Sequence, residues 1–310
     1  KGGICVDPHQ LSARELEELT RKYIRGIAPI IGPDKDIPAP DVYTTPQIMG
    51  WIMDEFSKLK GCCVPGVVTG KPVVIGGSLG RDQATARGCR FVIEEAARRN
   101  GLDLTRAKVA VQGYGNAGSF AATLLAELGC TIVAVSDSKG GIFKADGLNP
   151  REVKKFKART GTVVGYPGSR DIANRQLLTS EVDILVPAAY ENQIDEEVAR
   201  QVKARLVAEA ANGPTTPAAD KVLYQNGVLV IPDILASAGG VIVSYFEWVQ
   251  DQTSYYWSED EINSKLESII KKAFNTVYDR HVRQAVDMRI AAFMVALDRI
   301  AAAIKVRGWV

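Results

Sequence analysis

The stretch "VAVQGYGNAGSF" sets Gly113, Gly115 and Gly118 in a G-x-G-x-x-G spacing. A short apolar run, Lys108 to Gln112, precedes it, and a helical pattern from Asn116 to Leu128 follows, ended by Gly129. Asp137, 19 residues past Gly118, closes the next apolar run, which begins at Thr131. Strand, glycine turn, helix and distal acid together form the layout of a dinucleotide site. Gly113 permits the tight turn, Gly115 lets the backbone approach a pyrophosphate, and Gly118 lets helix and strand close up. With Asn116 at the turn, the helix N-terminus offers unpaired N–H groups and a partial positive charge to phosphate. Asp137 is expected to accept hydrogen bonds from the adenosine ribose, which favours NAD. Ser136, Ser138 and Lys139 beside it leave NADP open. The predicted chemistry is hydride transfer.

The elements that must hold this turn are legible on both sides of it. Ser12 and Glu15 form a capping box, so a helix is expected from there to about Tyr23. Ile31 to Pro46 carries four prolines and reads as loop, followed by an apolar helix in "PQIMGWIMDEFSKL". Pro65 to Ser78, punctuated by Pro and Gly, reads as a linker between lobes. A helix is expected from Thr85 to about Asn100. "DILVPAA", "RLVAEAA" and "GVLVIPD" read as further buried strands. Short continuous apolar strands separated by helices imply a parallel sheet covered on both faces. Ser258 and Glu261 cap another helix, and a last one runs through "RIAAFMVALDRIAAAIKVRG". The expected fold class is therefore α/β. A Rossmann-type doubly wound domain covers residues 66–287, and a smaller α/β lobe covers residues 1–65, closed by the last helix, 288–310.

Bulk properties exclude several alternatives. Over 310 residues, 46% are apolar and 24% charged, with a net charge of +2. That balance gives no argument for a nucleic-acid or anionic membrane partner. No apolar run approaches the roughly 18 residues of a membrane span. Five cysteines, two of them adjacent, are not a disulfide framework, which favours a reducing cytoplasm. With only two histidines, no metal site is expected.

Six stretches, in order, carry a resemblance: "KGGICVDP", "IPAPDVYT", "GGSLGRDQAT", "VAVQGYGNAG", "AEAANGPTTPAAD" and "SAGGVIVSYFEW". They closely resemble the glutamate dehydrogenase branch of the amino-acid dehydrogenase family, and the resemblance covers essentially the whole chain. It implies NAD(P)-dependent oxidative deamination of L-glutamate to 2-oxoglutarate and ammonia, in a cytoplasmic homohexamer. It also implies a chain that in the family begins well before Lys1, so this one is expected to be truncated at its own active site.

The same resemblance implies residue roles. Lys1, with Gly3, Asp7 and Pro8, matches the motif of the catalytic lysine, which activates water and polarises the developing carbonyl. Asp41 matches the general acid/base. Ser244 matches the serine that hydrogen-bonds the glutamate side-chain carboxylate, with Val241 lining the pocket one helical turn away. Thr85 matches the residue that bonds the nicotinamide carboxamide beside the substrate. Asn212 helps to hold the ring, and Arg81, at the entry to the cofactor lobe, is expected among the cofactor-binding residues. Ser237 departs from the pattern, because the family usually has Asn there, and a serine cannot offer an amide's paired donor and acceptor. "SYFEW" favours a dicarboxylate substrate. Two other readings stay open from sequence: the same reaction on Leu, Val or Phe, and a non-catalytic NAD-binding module.

Overall fold

A computed structural model describes residues 2–309. In chain order its elements are α1 (Ala13–Ile27), α2 (Pro46–Lys60), α3 (Ala84–Asn100), β1 (Lys108–Gln112), α4 (Asn116–Glu127), β2 (Thr131–Asp137) and β3 (Gly140–Phe143). Then come α5 (Pro150–Thr160), β4 (Arg170–Ile172), α6 (Asn174–Leu178), β5 (Ile184–Pro187), α7 (Glu196–Ala199), β6 (Leu206–Ala208) and α8 (Pro217–Gln225). The chain ends with β7 (Leu229–Ile231), α9 (Asp233–Ala236), α10 (Gly239–Thr253), α11 (Glu259–Gln284) and α12 (Met288–Val306).

The chain divides into two compact units, one of residues 1–81 with 241–264, the other of residues 82–240 with 265–310. The sequence expectation placed the first boundary near 65 and returned the last helix to the first lobe; here that helix groups with the second unit. Its first turn is bound there by Arg289, whose guanidinium meets Glu209, Asp220 and Asp233.

The second unit holds a seven-stranded sheet in the order β4-β3-β2-β1-β5-β6-β7. β1 pairs in parallel with β2 and with β5, and the parallel ladder continues through β6 to β7. Strands such as "VAV", "IVAV" and "ILV" are apolar throughout because both of their faces are buried. Ala110, Leu185 and Val207 join a core with Leu177, Val198, Ala219 and Leu223 from α6, α7 and α8. Gly118 of α4 lies against Val111, whose side chain points to the opposite face from Ala110. Two strands escaped the sequence reading. β3 and β4 run antiparallel at the β2 side of the sheet. "GGIF" and "RDI" are too short and too polar to show a pattern, and they become strands only because the β2 edge offers them a ladder.

The first unit is built from α1, α2 and most of α10, with loops between them. Ser12 forms the expected capping box, its hydroxyl accepting from the Glu15 N–H at 3.3 Å while the Glu15 carboxylate accepts from the Ser12 N–H at 2.8 Å. Residues 65–71 do not behave as a linker. Val67 and Val68 are fully buried in one core with Ile24, Met49 and Phe56, and Thr69 and Lys71 are buried beside them. The Pro and Gly punctuation marks two short 3-10 turns, one at Pro65–Val67 inside the core and one at Val73–Ile75 on the surface.

Candidate active site

The second unit carries a candidate cofactor site, at the carboxyl ends of its parallel strands. The chain leaves β1 toward β2 on one side and later returns to β5 on the other, so the turn after β1 sits at the switch point of the sheet. Gly113 has φ +88°, and a Cβ there would meet the Ala188 carbonyl oxygen at 2.7 Å. A Cβ on Gly118 would stand 1.8 Å from the Gly113 oxygen, which is impossible without moving the turn. Around Gly115 there is open space, and no side chain caps the N-terminus of α4. That combination fits a pyrophosphate: two glycines required by the protein's own backbone and a third left for something larger than a methyl group.

Neighbouring segments converge on this turn. The Asn116 side-chain amide donates to the Asp82 carbonyl at 2.8 Å, which ties the turn to the start of α3 and hence to half-buried Thr85. A Cβ on Gly239 would lie 2.0 Å from the Ala84 carbonyl oxygen, so the "SAGG" segment rests directly on the same helix start. Ser237 spends its hydroxyl on the Asp233 carbonyl at 2.7 Å, a bond within its own short helix. The expected substrate-binding role of Ser237 therefore finds a side chain already engaged. Asn212 is exposed just beyond β6, and its loop is held by the Gly213 N–H donating to Asp233 at 2.8 Å.

Asp137 stands where the ribose-reading acid was expected, but its carboxylate faces inward. One oxygen accepts from the Val163 N–H at 2.7 Å, and the other from the Lys139 N–H at 2.9 Å and the Thr162 hydroxyl at 3.1 Å. Its side chain is 4% exposed, with the Lys157 ammonium 3.9 Å away. A carboxylate has about four acceptor sites, so most of its capacity anchors the segment after α5. Ser136 is also buried, its hydroxyl donating to Asn174 at 3.1 Å and accepting from the Gly113 N–H at 3.4 Å. Of the small group around Asp137, only Ser138 and Lys139 are exposed. Asp137→Asn is expected to lower the stability of the cofactor-free protein by about 1–3 kcal/mol, since the new amide turns N–H toward N–H. Urea unfolding without cofactor checks this; a residue serving only the ribose would leave that stability unchanged.

The first unit carries a second group of candidate residues. Ser244 is buried on α10, and its hydroxyl accepts from Arg81 Nε at 3.0 Å. Burial lowers the pKa of the Arg81 guanidinium, and the charge of Glu247 opposes that shift. The sequence reading put Arg81 at the entry to the cofactor lobe; the geometry pairs it with Ser244. Val241, one turn earlier, is 70% exposed and free of core packing. Asp41 lies in an exposed turn in which the Thr44 hydroxyl donates to the Asp41 carbonyl at 2.8 Å and the Asp41 carboxylate accepts from the Val42 N–H at 2.9 Å. Pro40 pins this turn, because a Cβ on Gly70 would meet its ring at 2.4 Å. The turn therefore rests on the buried 67–71 segment. Lys1, the expected catalytic amine, lies outside the described residues. Asp7 caps a short turn, accepting from the His9 N–H at 3.0 Å.

Two polar groups went unnoticed in the sequence. Lys71, Glu247 and Asp251 form a fully buried ion cluster in the first unit. Arg289 gathers three carboxylates in the second. The only available signal was charge inside apolar segments, as in "VVTGKPVV" and "SYFEWVQD", which marks a buried pair without saying with what. Among the described residues no cluster suited to a metal ion is found, and no helix is long and apolar enough to cross a membrane.

Residues 76–308 match the Glutamate/Leucine/Phenylalanine/Valine dehydrogenase family, and residues 1–58 match the dimerisation domain of Glu/Leu/Phe/Val dehydrogenases. An NAD-specific glutamate dehydrogenase of Staphylococcus aureus is 50% identical over 309 residues, which is 100% of this chain and 74% of that protein. Among solved structures, a hetero-hexameric glutamate dehydrogenase from Thermus thermophilus in its leucine-bound form superposes with a TM-score of 0.93 at 41% identity. It covers 98% of this chain and 72% of that one. The glutamate dehydrogenase of Peptoniphilus asaccharolyticus gives 0.86 at 42%, covering 99% and 74%. With a family match across most of its length and half-identical relatives over all of it, the chain belongs to the Glutamate/Leucine/Phenylalanine/Valine dehydrogenase family.

Proposed function

We infer that the protein catalyses NAD-linked oxidative deamination of L-glutamate to 2-oxoglutarate and ammonia. The observation that carries the substrate is the Arg81–Ser244 pair, a guanidinium and a hydroxyl bonded together at a buried stretch of α10. An anionic side chain needs a cation and a donor held in advance, whereas a leucine or valine pocket has no use for either. The 50% identity to relatives named as NAD-specific glutamate dehydrogenases points the same way and supports NAD as cofactor.

When bound, NAD would supply the hydride acceptor for the amino acid's α-carbon. The chain's own residues do the rest. The α4 N-terminus, with Gly113, Gly115 and Asn116, would hold the pyrophosphate. Thr85 and Asn212 would orient the nicotinamide ring. Arg81 and Ser244 hold the distal carboxylate, with Val241 along the substrate's methylenes. Asp41 takes the proton from the amino group and returns one as the imine hydrolyses. Lys1 activates the water that adds to the imine. We place the enzyme in the cytoplasm as a homo-oligomer, a hexamer by analogy, a reading supported by the dimerisation-domain match.

Ser244→Ala tests the substrate assignment. It leaves a carboxylate short of one donor, at about 1.5–3 kcal/mol, so kcat/KM for glutamate is expected to fall roughly 10- to 150-fold. Norvaline, without that carboxylate, is expected to lose little. Equal losses for both substrates would reduce Ser244 to helix packing and overturn the reading.

A further inference from the structure

Ser244, Glu247 and Asp251 fall at i, i+3 and i+7 and so share one stripe of α10. The Lys71 ammonium donates to Glu247 at 2.6 Å, to Asp251 at 2.9 Å and to the Val68 carbonyl at 2.7 Å. All three charged side chains have no solvent exposure. Glu247 also accepts from the Gly70 N–H at 3.0 Å and the Lys71 N–H at 3.2 Å, and Asp251 from the Tyr256 hydroxyl at 3.2 Å. Two buried carboxylates are thus satisfied by one cation and neutral donors. Arg81, the next cation to feel Glu247, makes no ion pair among the described residues and bonds Ser244 instead. The same cluster holds Gly70, against which the Asp41 turn is packed through Pro40.

We propose that Lys71 is a positioning residue for substrate recognition: by occupying Glu247 and Asp251 it keeps the Arg81 guanidinium on Ser244, available to an anionic substrate group. A buried carboxylate stripped of its cation is costly, and Arg81 is the group at hand to replace it. Without Lys71, Arg81 is drawn inward and the substrate loses its counter-charge. The inference rests on the glutamate reading, and its test is kept separate from that reading.

The experiment compares kcat and KM for glutamate and norvaline in the wild type, Lys71→Met, Asp251→Asn and the neutral triple variant Lys71→Met/Glu247→Gln/Asp251→Asn. In Lys71→Met, KM for glutamate is expected to rise about tenfold or more while norvaline changes less than about threefold. The triple variant leaves no carboxylate to attract Arg81 and is expected to recover glutamate selectivity to within about threefold of wild type. Asp251→Asn keeps the shape and removes one negative charge, so KM for glutamate is expected to fall about two- to fivefold. This last variant decides the matter if Lys71→Met does not fold. Equal losses for both substrates in Lys71→Met, or an unchanged or raised glutamate KM in Asp251→Asn, would overturn the proposal. A wild type that prefers norvaline would instead overturn the glutamate reading.

Discussion

Asp41→Asn is expected to fold as the wild type does, bind both ligands, and lose turnover by roughly 10²- to 10⁴-fold, the usual scale for an acid/base group. The local geometry supports each part. The turn is made by the Thr44 hydroxyl and N–H donating to the Asp41 carbonyl and by Pro40 against Gly70, none of which involves the carboxylate. The bond that the Val42 N–H donates to that carboxylate at 2.9 Å can be kept by an asparagine oxygen. An exposed substitution of this kind changes stability by about 0.5 kcal/mol or less. What it removes is the ability to take and return a proton. Steady-state kinetics with a parallel NAD titration checks the result. Activity within a few-fold of wild type would make Asp41 a turn residue only.

Arg289→Met is expected to be the most damaging single substitution for stability, at about 3–5 kcal/mol near pH 7. Arg289 donates to both oxygens of Glu209 at 2.7 Å, to Asp220 at 2.6 Å and to Asp233 at 3.0 Å. Glu209 is fully buried at the end of β6, and its carboxylate accepts from the Asp233 N–H at 2.8 Å. Burial raises the pKa of the Glu209 and Asp220 carboxyls, and Arg289 opposes the rise. A raised acid pKa means that the folded state holds its proton more tightly, so this contribution favours folding at low pH and fades as pH rises above the unfolded value of about 4. Removing Arg289 pushes both carboxyls further up. The loss is therefore expected to be larger at pH 7 than at pH 5, where protonation relieves it. Urea unfolding at the two pH values measures the difference. Equal losses would mean that packing rather than charge is at stake. Because Asp233 also holds Gly213, the same variant is expected to raise KM for NAD through the Asn212 loop.

The sequence by itself determined what depends on neighbours in the chain. The glycine turn was readable because its requirements are backbone requirements: Gly113 takes φ +88°, and a Cβ on Gly118 strikes the Gly113 carbonyl oxygen within the same turn. The parallel strands were readable because burial on both faces demands unbroken apolar runs, and the α1 start because a capping box is a four-residue device. The tertiary structure decided everything that turns on which distant group answers a charge. Nothing local says that Asp137 faces Val163 and Thr162 rather than a ribose, or that Arg81 meets a serine 163 residues away. Nor does it say that the "GVVTGK" segment is core rather than linker, since proline and glycine mark a turn equally well at the surface and beneath it. A side chain's type states what it can donate or accept. Only the packed fold states which partner stands within 3 Å, and in a buried setting that choice fixes whether a charge is held for the protein or kept for a substrate.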